Sequence, residues 1–414
     1  MVRALSRRAV VLSAVTQSRF VESTMLPDGW PAGAHLGKLR IVAETLDELL
    51  RDAIAREVAP GGVALVWRDG TLRHSGAYGV LARHGIPPDL RRPVSADSRY
   101  DLASLTKVLC TTTLAAQAVG LGEVSLEDRL PHSLAVGNYR PTLRDLLEHA
   151  SGLAAHCEFF HEPWRLGVGA RDELIAAVRE VPLAAAPRTQ AIYSDLGFIL
   201  LGAWLESLGG TRLDELFVSR IARPLQLESE IGFVGLTPLP AHEVAATEVY
   251  DAALHGGERQ HWYDLREKAG QRVACGLVHD DNALVMGGVA GHSGLFGTAS
   301  GVLAIARAWL ERRLPLLDED RSSSVIAEFT RTSTVPGSTR RKGFDGPKAD
   351  GSGATGLALS PRAYGHLGFT GVSVWIDPDA RSIHVLLTNR VHPTRSDDRI
   401  GTLRREFHRR SAKL

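Results

Sequence analysis

The chain has little lysine, little cysteine, no charge excess and no long apolar run, and each shortage narrows what it can be. Cationic and acidic side chains nearly cancel, 48 against 47, for a formal net charge of +1. A nucleic-acid binder usually gathers a basic excess on one face, so that class is set aside. Three cysteines, Cys110, Cys157 and Cys275, are too few and too scattered in 414 residues for a disulfide framework. Cys110 lies in an apolar stretch and reads as a small core residue. No stretch approaches the ~20 apolar residues of a membrane span. Arg3 to Val15 places basic residues ahead of a short apolar core, which breaks at Thr16-Gln17-Ser18-Arg19 with no small-residue cleavage site. The chain is therefore read as uncleaved and cytoplasmic, with a periplasmic or exported protein as the alternative. What remains is ordinary for a soluble globular protein: 44% hydrophobic and 23% charged residues, enough for one elaborate domain or two smaller ones.

Arginine supplies nearly all the positive charge, so the sole Ser-x-x-Lys, at Ser104-Leu105-Thr106-Lys107, stands out. It follows an irregular polar segment and opens an apolar helical run to Val119, with Gly120 and Gly122 as stop signals. Residues three apart on a helix share a face, so Ser104 Oγ and Lys107 Nζ can come within hydrogen-bonding range. A free serine is a poor nucleophile, and a neutral lysine beside it can take its proton. Burial and the positive end of the helix dipole both push the lysine towards that neutral form.

Leu39 to Val58 has the periodicity of an amphipathic surface helix, and Gly61–Trp67 reads as a buried strand. Arg68-Asp69-Gly70 is a tight turn, and Thr71 to Tyr78 alternates like an antiparallel partner. After the Ser104 helix the chain is mostly helical: Thr142–His149 with Thr142 as N-cap, Arg171–Val181, Ser194–Leu208 and Arg212–Ala222. Gly287 to Phe296 is glycine-rich and precedes a helix over Ser300–Glu311. Thr332 to Ser360 is long, polar and Gly-rich, and reads as a mobile surface insertion. Gly371–Ile376 and Ser382–Thr388 form a hairpin about Asp377-Pro378-Asp379-Ala380, and a basic helix closes the chain. Strands that pair only as hairpins argue for an α/β (α+β) fold whose antiparallel sheet is assembled from both chain ends. The domain reading is a poorly ordered leader at 1–37, a sheet-containing domain at 38–115 plus 285–414, and a mainly helical insertion at 116–284.

Two more stretches carry chemistry. Tyr193-Ser194-Asp195 stands at a loop-to-helix junction, where a phenol can project into a cleft and relay a proton to a leaving group. Gly365-His366-Leu367-Gly368-Phe369-Thr370-Gly371 enters the final hairpin, and its glycines let backbone approach a ligand so that an N–H can meet a developing oxyanion. His292-Ser293-Gly294 has the same His-x-Gly letters but leads into a helix, and reads as a structural turn near the site.

In this order the three boxes resemble the serine β-lactamase and penicillin-binding superfamily, in its class C β-lactamase, DD-peptidase, esterase and D-aminopeptidase branch. That order is Ser-x-x-Lys, then Tyr-x-Asn, then Lys-Thr-Gly or His-x-Gly. The segments TLRDLLEHASGL from Thr142, YSDLGFILLG from Tyr193, GHSGLFGTA from Gly291 and GHLGFTGVSVWIDP from Gly365 are similar to the family's as well. The resemblance implies a β-lactamase/transpeptidase-like fold with Ser104 as acylated nucleophile, Lys107 as general base and Tyr193 as proton shuttle. It implies an oxyanion hole from the backbone N–H groups of Ser104 and Phe369, next to Gly368. Two positions depart from the pattern: Asp195 stands where the family usually has Asn, and His366 where β-lactamases carry Lys. His-x-Gly is typical of members that cleave D-amino-acid amides, peptides or esters. A neutral His366 and an ionised Asp195 both weaken recognition of an anionic substrate, which turns the expectation towards short esters, D-amino-acid amides or peptides and away from β-lactams.

A metal site is the first rival, because His149, His156, Cys157 and His161 lie close in sequence and His279-Asp280-Asp281 adds ligand types. None has a metal-ligand spacing, and Gly351 to Gly356 is no phosphate loop, so no metal or cofactor is called for. β-Lactamase or DD-carboxypeptidase activity is one alternative. Another is a penicillin-binding-type fold kept as a non-hydrolytic sensor, against which the retention of Ser104, Lys107 and Tyr193 speaks. The expected partner is a small molecule or short peptide, and the oligomeric state stays open.

Overall fold

In a computed structural model, residues 45–84, 91–161, 164–249, 273 and 275–414 are described. The leader at 1–37 lies outside them. Among the described residues, eight strands form two antiparallel sheets. Strands β1 (Gly61–Arg68), β2 (Thr71–Gly79), β3 (Tyr100–Asp101), β4 (Ile231–Phe233), β5 (Leu295–Gly297), β6 (Tyr364–Leu367), β7 (Ser373–Asp377) and β8 (Ser382–Thr388) follow one another in the chain. The large sheet has the order β2-β1-β8-β7-β6, so its centre joins the two ends of the chain as expected. The small sheet, β3-β5-β4, and the edge strand β6 have no counterpart in the sequence reading, because strands of two to four residues hold too little periodicity to detect.

β1 reads as a continuous apolar run because both its faces are covered. Val63, Leu65 and Trp67 enter the main core, while Ala64 and Val66 join Leu386 in a second layer. That layer is closed by Leu46, Leu50 and Ala53 of the helix Leu46–Ala55 and by Ile400, Leu403 and Phe407 of the terminal helix Ile400–Ser411. The spacing of Leu46, Leu50 and Ala53 is that of one helical face, and a Thr45–Glu48 capping box starts the helix.

On the other side of the sheet, the helix Asp195–Gly209 is apolar nearly all round and buried along most of its length. Ser194 caps it, accepting a hydrogen bond from the Gly197 N–H, and this cap sets where Tyr193 leaves the loop. Thr142 likewise caps Leu143–Leu147 in a capping box with Asp145.

Two expectations need correction. The helix after Ser104 does not start as a regular α-helix: Lys107–Thr112 is π-helical and only Thr113–Leu121 is α, ending at Gly122 in the left-handed region. The Thr113 hydroxyl caps the Val108 carbonyl at 2.9 Å, which helps the wider turns persist. Thr332–Ser360 is irregular but not a loose insertion. Arg341, Lys342 and Phe344 are buried, Gly343 N–H donates to Leu147 O at 2.8 Å, and Asp345 pairs with Gly365 on the free edge of β6. Buried side chains and edge pairing make the segment a wall of the cleft.

Candidate active site

Ser104 follows a strained turn. Ala103 adopts φ 45°, a left-handed conformation costly for a residue with a Cβ. The buried Asp101 carboxylate holds that turn, accepting from the Ala103 N–H at 2.8 Å and from the His279 N–H at 2.6 Å. Tight turns then close on Leu102, Ala103 and Ser104 carbonyls, and the side chain of Lys107 comes back over Ser104.

Lys107 is fully buried and donates to three acceptors: Ser104 Oγ at 3.0 Å, Asp195 Oδ1 at 2.7 Å and the His292 carbonyl at 3.1 Å. An ammonium has three N–H donors, so this geometry satisfies the cation in full. Burial works against that charge, but Asp195 and then Tyr193 outweigh it and lift the Lys107 pKa above the usual lysine value. The neutral lysine expected from burial and the helix dipole is thus overturned by a carboxylate 88 residues away in sequence.

Burial would raise the Asp195 carboxyl too, yet Lys107, with His156 and His292 behind it, holds it well below the usual carboxylate range. Its second oxygen lies 3.3 Å from His156 Nδ1, on a side chain that is 40% exposed at the mouth. Burial opposes a charge on His156, but the hydrogen bond to Asp195 prevails and raises its pKa to about 9. His292 Nε2 reaches Asp280 at 2.9 Å. The turn read as merely near the site therefore supplies Lys107 with a ligand through its carbonyl, and it enters β5 before any helix begins.

The Tyr193 ring lies 4.9 Å from Lys107 Nζ, between the rings of His149 at 4.7 Å and His366 at 5.7 Å, with the Arg340 guanidinium 5.0 Å from its centroid. Burial raises its phenol pKa, against the opposing charge of Lys107. His149 Nδ1 accepts from the Ser194 N–H at 3.0 Å, and burial keeps its ring neutral. His366 is in β6; its Nδ1 lies 2.7 Å from the Leu367 carbonyl, and burial lowers its pKa to about 4. The neutral His366 expected from the sequence is what the fold builds.

After β6 the chain turns at Gly368. A Cβ there would stand 2.9 Å from Leu102 O and 2.3 Å from a Val372 methyl, so only glycine lets this loop lie against the segment before Ser104. Thr370 Oγ1 fastens the loop by donating to the Asp101 carbonyl at 2.7 Å. Among the described residues, neither the Ser104 nor the Phe369 N–H takes part in a backbone hydrogen bond. Phe369 itself is half exposed, with the Arg390 guanidinium 4.4 Å from its ring.

The structure thus brings the seven residues singled out in the sequence together around Lys107 and Tyr193 and the turn at Gly368. Beside them lies a cavity of about 480 Å³ bordered by Gln190, Ser338, Thr339, Arg340, Thr355 and Leu367. Sequence reasoning missed Asp101, Arg340 and Arg404, and weighed His156 and Asp280 only as metal ligands. Only Asp101 has a local signal, an Asp two residues before a strained turn. Of the metal rivals, His149 packs on Tyr193, His156 pairs with Asp195 and His279 with Glu248, and no cluster able to hold a metal is present among the described residues.

Residues 46–409 match the family model described as beta-lactamase. The chain belongs to the β-lactamase family. Family membership makes it a hydrolase of the serine β-lactamase type. Among its relatives is the N-acetylmuramyl-L-alanine amidase of Bacillus subtilis (strain 168), 29% identical over 362 residues, covering 82% of this chain and 80% of that protein. Another is the putative D-alanyl-D-alanine carboxypeptidase of Salmonella gallinarum, 28% identical, covering 79% of this chain and 78% of that one. The solved structure of EstCE1, described as a hydrolase with promiscuous acyltransferase activity, shares the fold. It has a TM-score of 0.66 at 19% identity, with 88% of this chain and 97% of that one covered. No helix among the described residues is long and apolar enough to cross a membrane.

Proposed function

We propose that this family member hydrolyses an amide or ester through a covalent acyl-Ser104 intermediate. The observation that carries the reading is the 3.0 Å contact between Lys107 Nζ and Ser104 Oγ. Because Lys107 rests as an ammonium, a proton leaves the Lys107–Tyr193 pair before Ser104 gives up its own. The deprotonated pair then takes the Ser104 proton as Oγ bonds to the substrate carbonyl carbon. The carbonyl oxygen, now an oxyanion, accepts from the N–H groups of Ser104 and Phe369. Tyr193 returns the proton to the leaving nitrogen or oxygen as the scissile bond breaks. Water repeats the sequence on the ester, its proton passing to the pair, and Ser104 recovers its hydroxyl.

The names of the two relatives denote amide bonds, which favours short peptides and amides over esters as the natural substrate class. The polar cavity beside Tyr193 offers room for groups flanking such a bond. A D-alanyl-D-alanine carboxypeptidase is the second reading, favoured by Arg340: its guanidinium, shared with Asp345, sits over Tyr193 and can meet a terminal carboxylate in place of the missing lysine. The Asp195 charge is already matched by Lys107, so it repels such a carboxylate less than the sequence alone suggested.

Intact-mass measurement after treatment with a fluorophosphonate tests the mechanism. One adduct is expected on the protein and none on Ser104→Ala, with hydrolysis of p-nitrophenyl acetate falling by about 10⁴-fold or more in the variant. No adduct would leave a non-hydrolytic binding module, and hydrolysis unchanged in Ser104→Ala would remove Ser104 from the chemistry. D-amino-acid amides, D-Ala-D-Ala peptides, short esters and nitrocefin, each compared with Ser104→Ala, then rank the substrates.

A further inference from the structure

We infer that Arg404, on the terminal helix and outside the family's three boxes, is a positioning residue for the oxyanion hole, orienting and polarising the peptide that ends in the Phe369 N–H. The inference rests on the acyl-enzyme reading. Arg404 is 8% exposed, and its Nη2 donates to two carbonyls of the turn, Gly368 O at 2.7 Å and Val372 O at 2.8 Å. Gly368 O also receives the Gly371 N–H at 3.1 Å.

The Gly368–Phe369 peptide is trans, so its C=O and N–H point in opposite directions. Fixing the carbonyl towards the terminal helix therefore aims the Phe369 N–H the other way. That loop is tied to the Ser104 approach at Leu102 and Asp101. On the following peptide, Arg390 Nε donates to the Phe369 carbonyl at 2.8 Å, so guanidinium groups grip the carbonyls on both sides of the N–H.

The chemistry adds to the geometry. A cation on an amide oxygen draws electron density from the nitrogen and makes its N–H a stronger donor. Hydrogen bonds that carry a charge are about twice as strong as neutral ones. Among the described residues no carboxylate pairs with Arg404, so its charge is spent on the turn and on the field behind it. Burial, with Arg390 nearby, lowers its pKa to about 9, which leaves it cationic at neutral pH. As negative charge gathers on the substrate oxygen, this field favours the transition state over the ground state.

Matched oxygen and sulfur substrates test the assignment, because a thiocarbonyl sulfur accepts hydrogen bonds weakly. Arg404→Met should lower kcat/KM for p-nitrophenyl acetate by about 10–100-fold. It should lower kcat/KM for the corresponding O-aryl thionoester by less than about threefold, with KM little changed. Arg404→Lys, which keeps a donor and the charge, should fall between. Equal losses on both substrates would mark a purely structural role and overturn the inference, as would a folded Arg404→Met with wild-type rates or a wild type indifferent to the oxygen–sulfur swap. If Arg404→Met does not fold, Arg404→Lys decides alone: a several-fold shrinkage of the ester preference supports the assignment and an unchanged ratio overturns it. Failure of the acyl-enzyme reading shows separately, as a wild-type Ser104 that takes no fluorophosphonate adduct.

Discussion

On the nucleophile side of the cleft every charge meets its opposite at short range: Lys107 lies 2.7 Å from Asp195, whose other oxygen is 3.3 Å from His156. On the facing side, at β6 and its turn, His366 is neutral and the guanidinium groups of Arg404 and Arg390 rest on backbone carbonyls. Paired acids and bases set one another's protonation, whereas the arginines on carbonyls face no acid partner there among the described residues and Arg404 stays cationic through neutral pH. The difference assigns separate duties: the paired wall should set how activity depends on pH around neutrality, and the carbonyl-bound wall how well an oxyanion is held there.

Removing the cation from the paired wall should have the largest effect. Lys107→Ala takes away the proton acceptor next to Ser104 and leaves Asp195 facing a nucleophile that needs to lose a proton. Hydrolysis should fall by about 10²–10⁴-fold, measured under saturating p-nitrophenyl acetate. Nucleophile and base act as one unit, so adding Ser104→Ala should cost little more than Ser104→Ala alone. A variant that keeps a third of wild-type kcat would remove Lys107 from the chemistry.

Asp195→Asn turns the paired wall into a neutral one and should separate the two duties. In the wild type the base works only once deprotonated, and Asp195 holds Lys107 above its usual value, so kcat/KM should climb with pH into the alkaline range. Without the carboxylate, burial prevails and the Lys107 pKa drops. The alkaline rise should move to lower pH by about 1–3 units, with more activity near pH 7 relative to the plateau. Stability gives a second readout of known sign. Asp195, held low, stabilises the fold above the unfolded carboxylate value of about 3.9, a contribution lost as pH falls through the folded value. Lys107, held high, stabilises below about 10.4 and loses that contribution as pH rises through its folded value. The variant's Tm should therefore change less with pH at both ends. A rate profile superimposable on the wild type would show that the pair does not govern the base.

These contrasts mark where the sequence stops speaking. Ser104 and Lys107 are readable because three residues of helix bring them together whatever the rest of the chain does. Tyr193 is readable because Ser194 starts a helix directly behind it, and the final hairpin because Asp377-Pro378-Asp379 marks its turn. The central β1 and β8 are legible from their apolar runs, but β3, β4 and β6 are not, being set by pairing with distant segments. The protonation of Lys107 depends on Asp195, 88 residues on, and that of Asp195 partly on His156, 39 residues back. Arg404 reaches its carbonyl across 36 residues, from a helix whose sequence looks like any solvated basic face. Side chains can be read locally; their charge state and second partners belong to the assembled cleft.

His156→Gln should have the smallest effect and the opposite sign to Asp195→Asn. His156 sits at the mouth and, with its pKa raised to about 9, carries positive charge at neutral pH. It competes with Lys107 for the same carboxylate. Deleting it leaves Asp195 wholly to Lys107, which should hold its proton more tightly, so the alkaline rise in kcat/KM should move upward. A partner this exposed contributes little, and a shift of roughly a few tenths of a pH unit is the scale to expect. The direction matters more than the size. If His156→Gln moved the profile down, as Asp195→Asn should, the histidine would be supporting the Lys107–Asp195 pair rather than drawing on it. The paired wall would then be a chain of cooperating charges, not one acid shared by two competing bases.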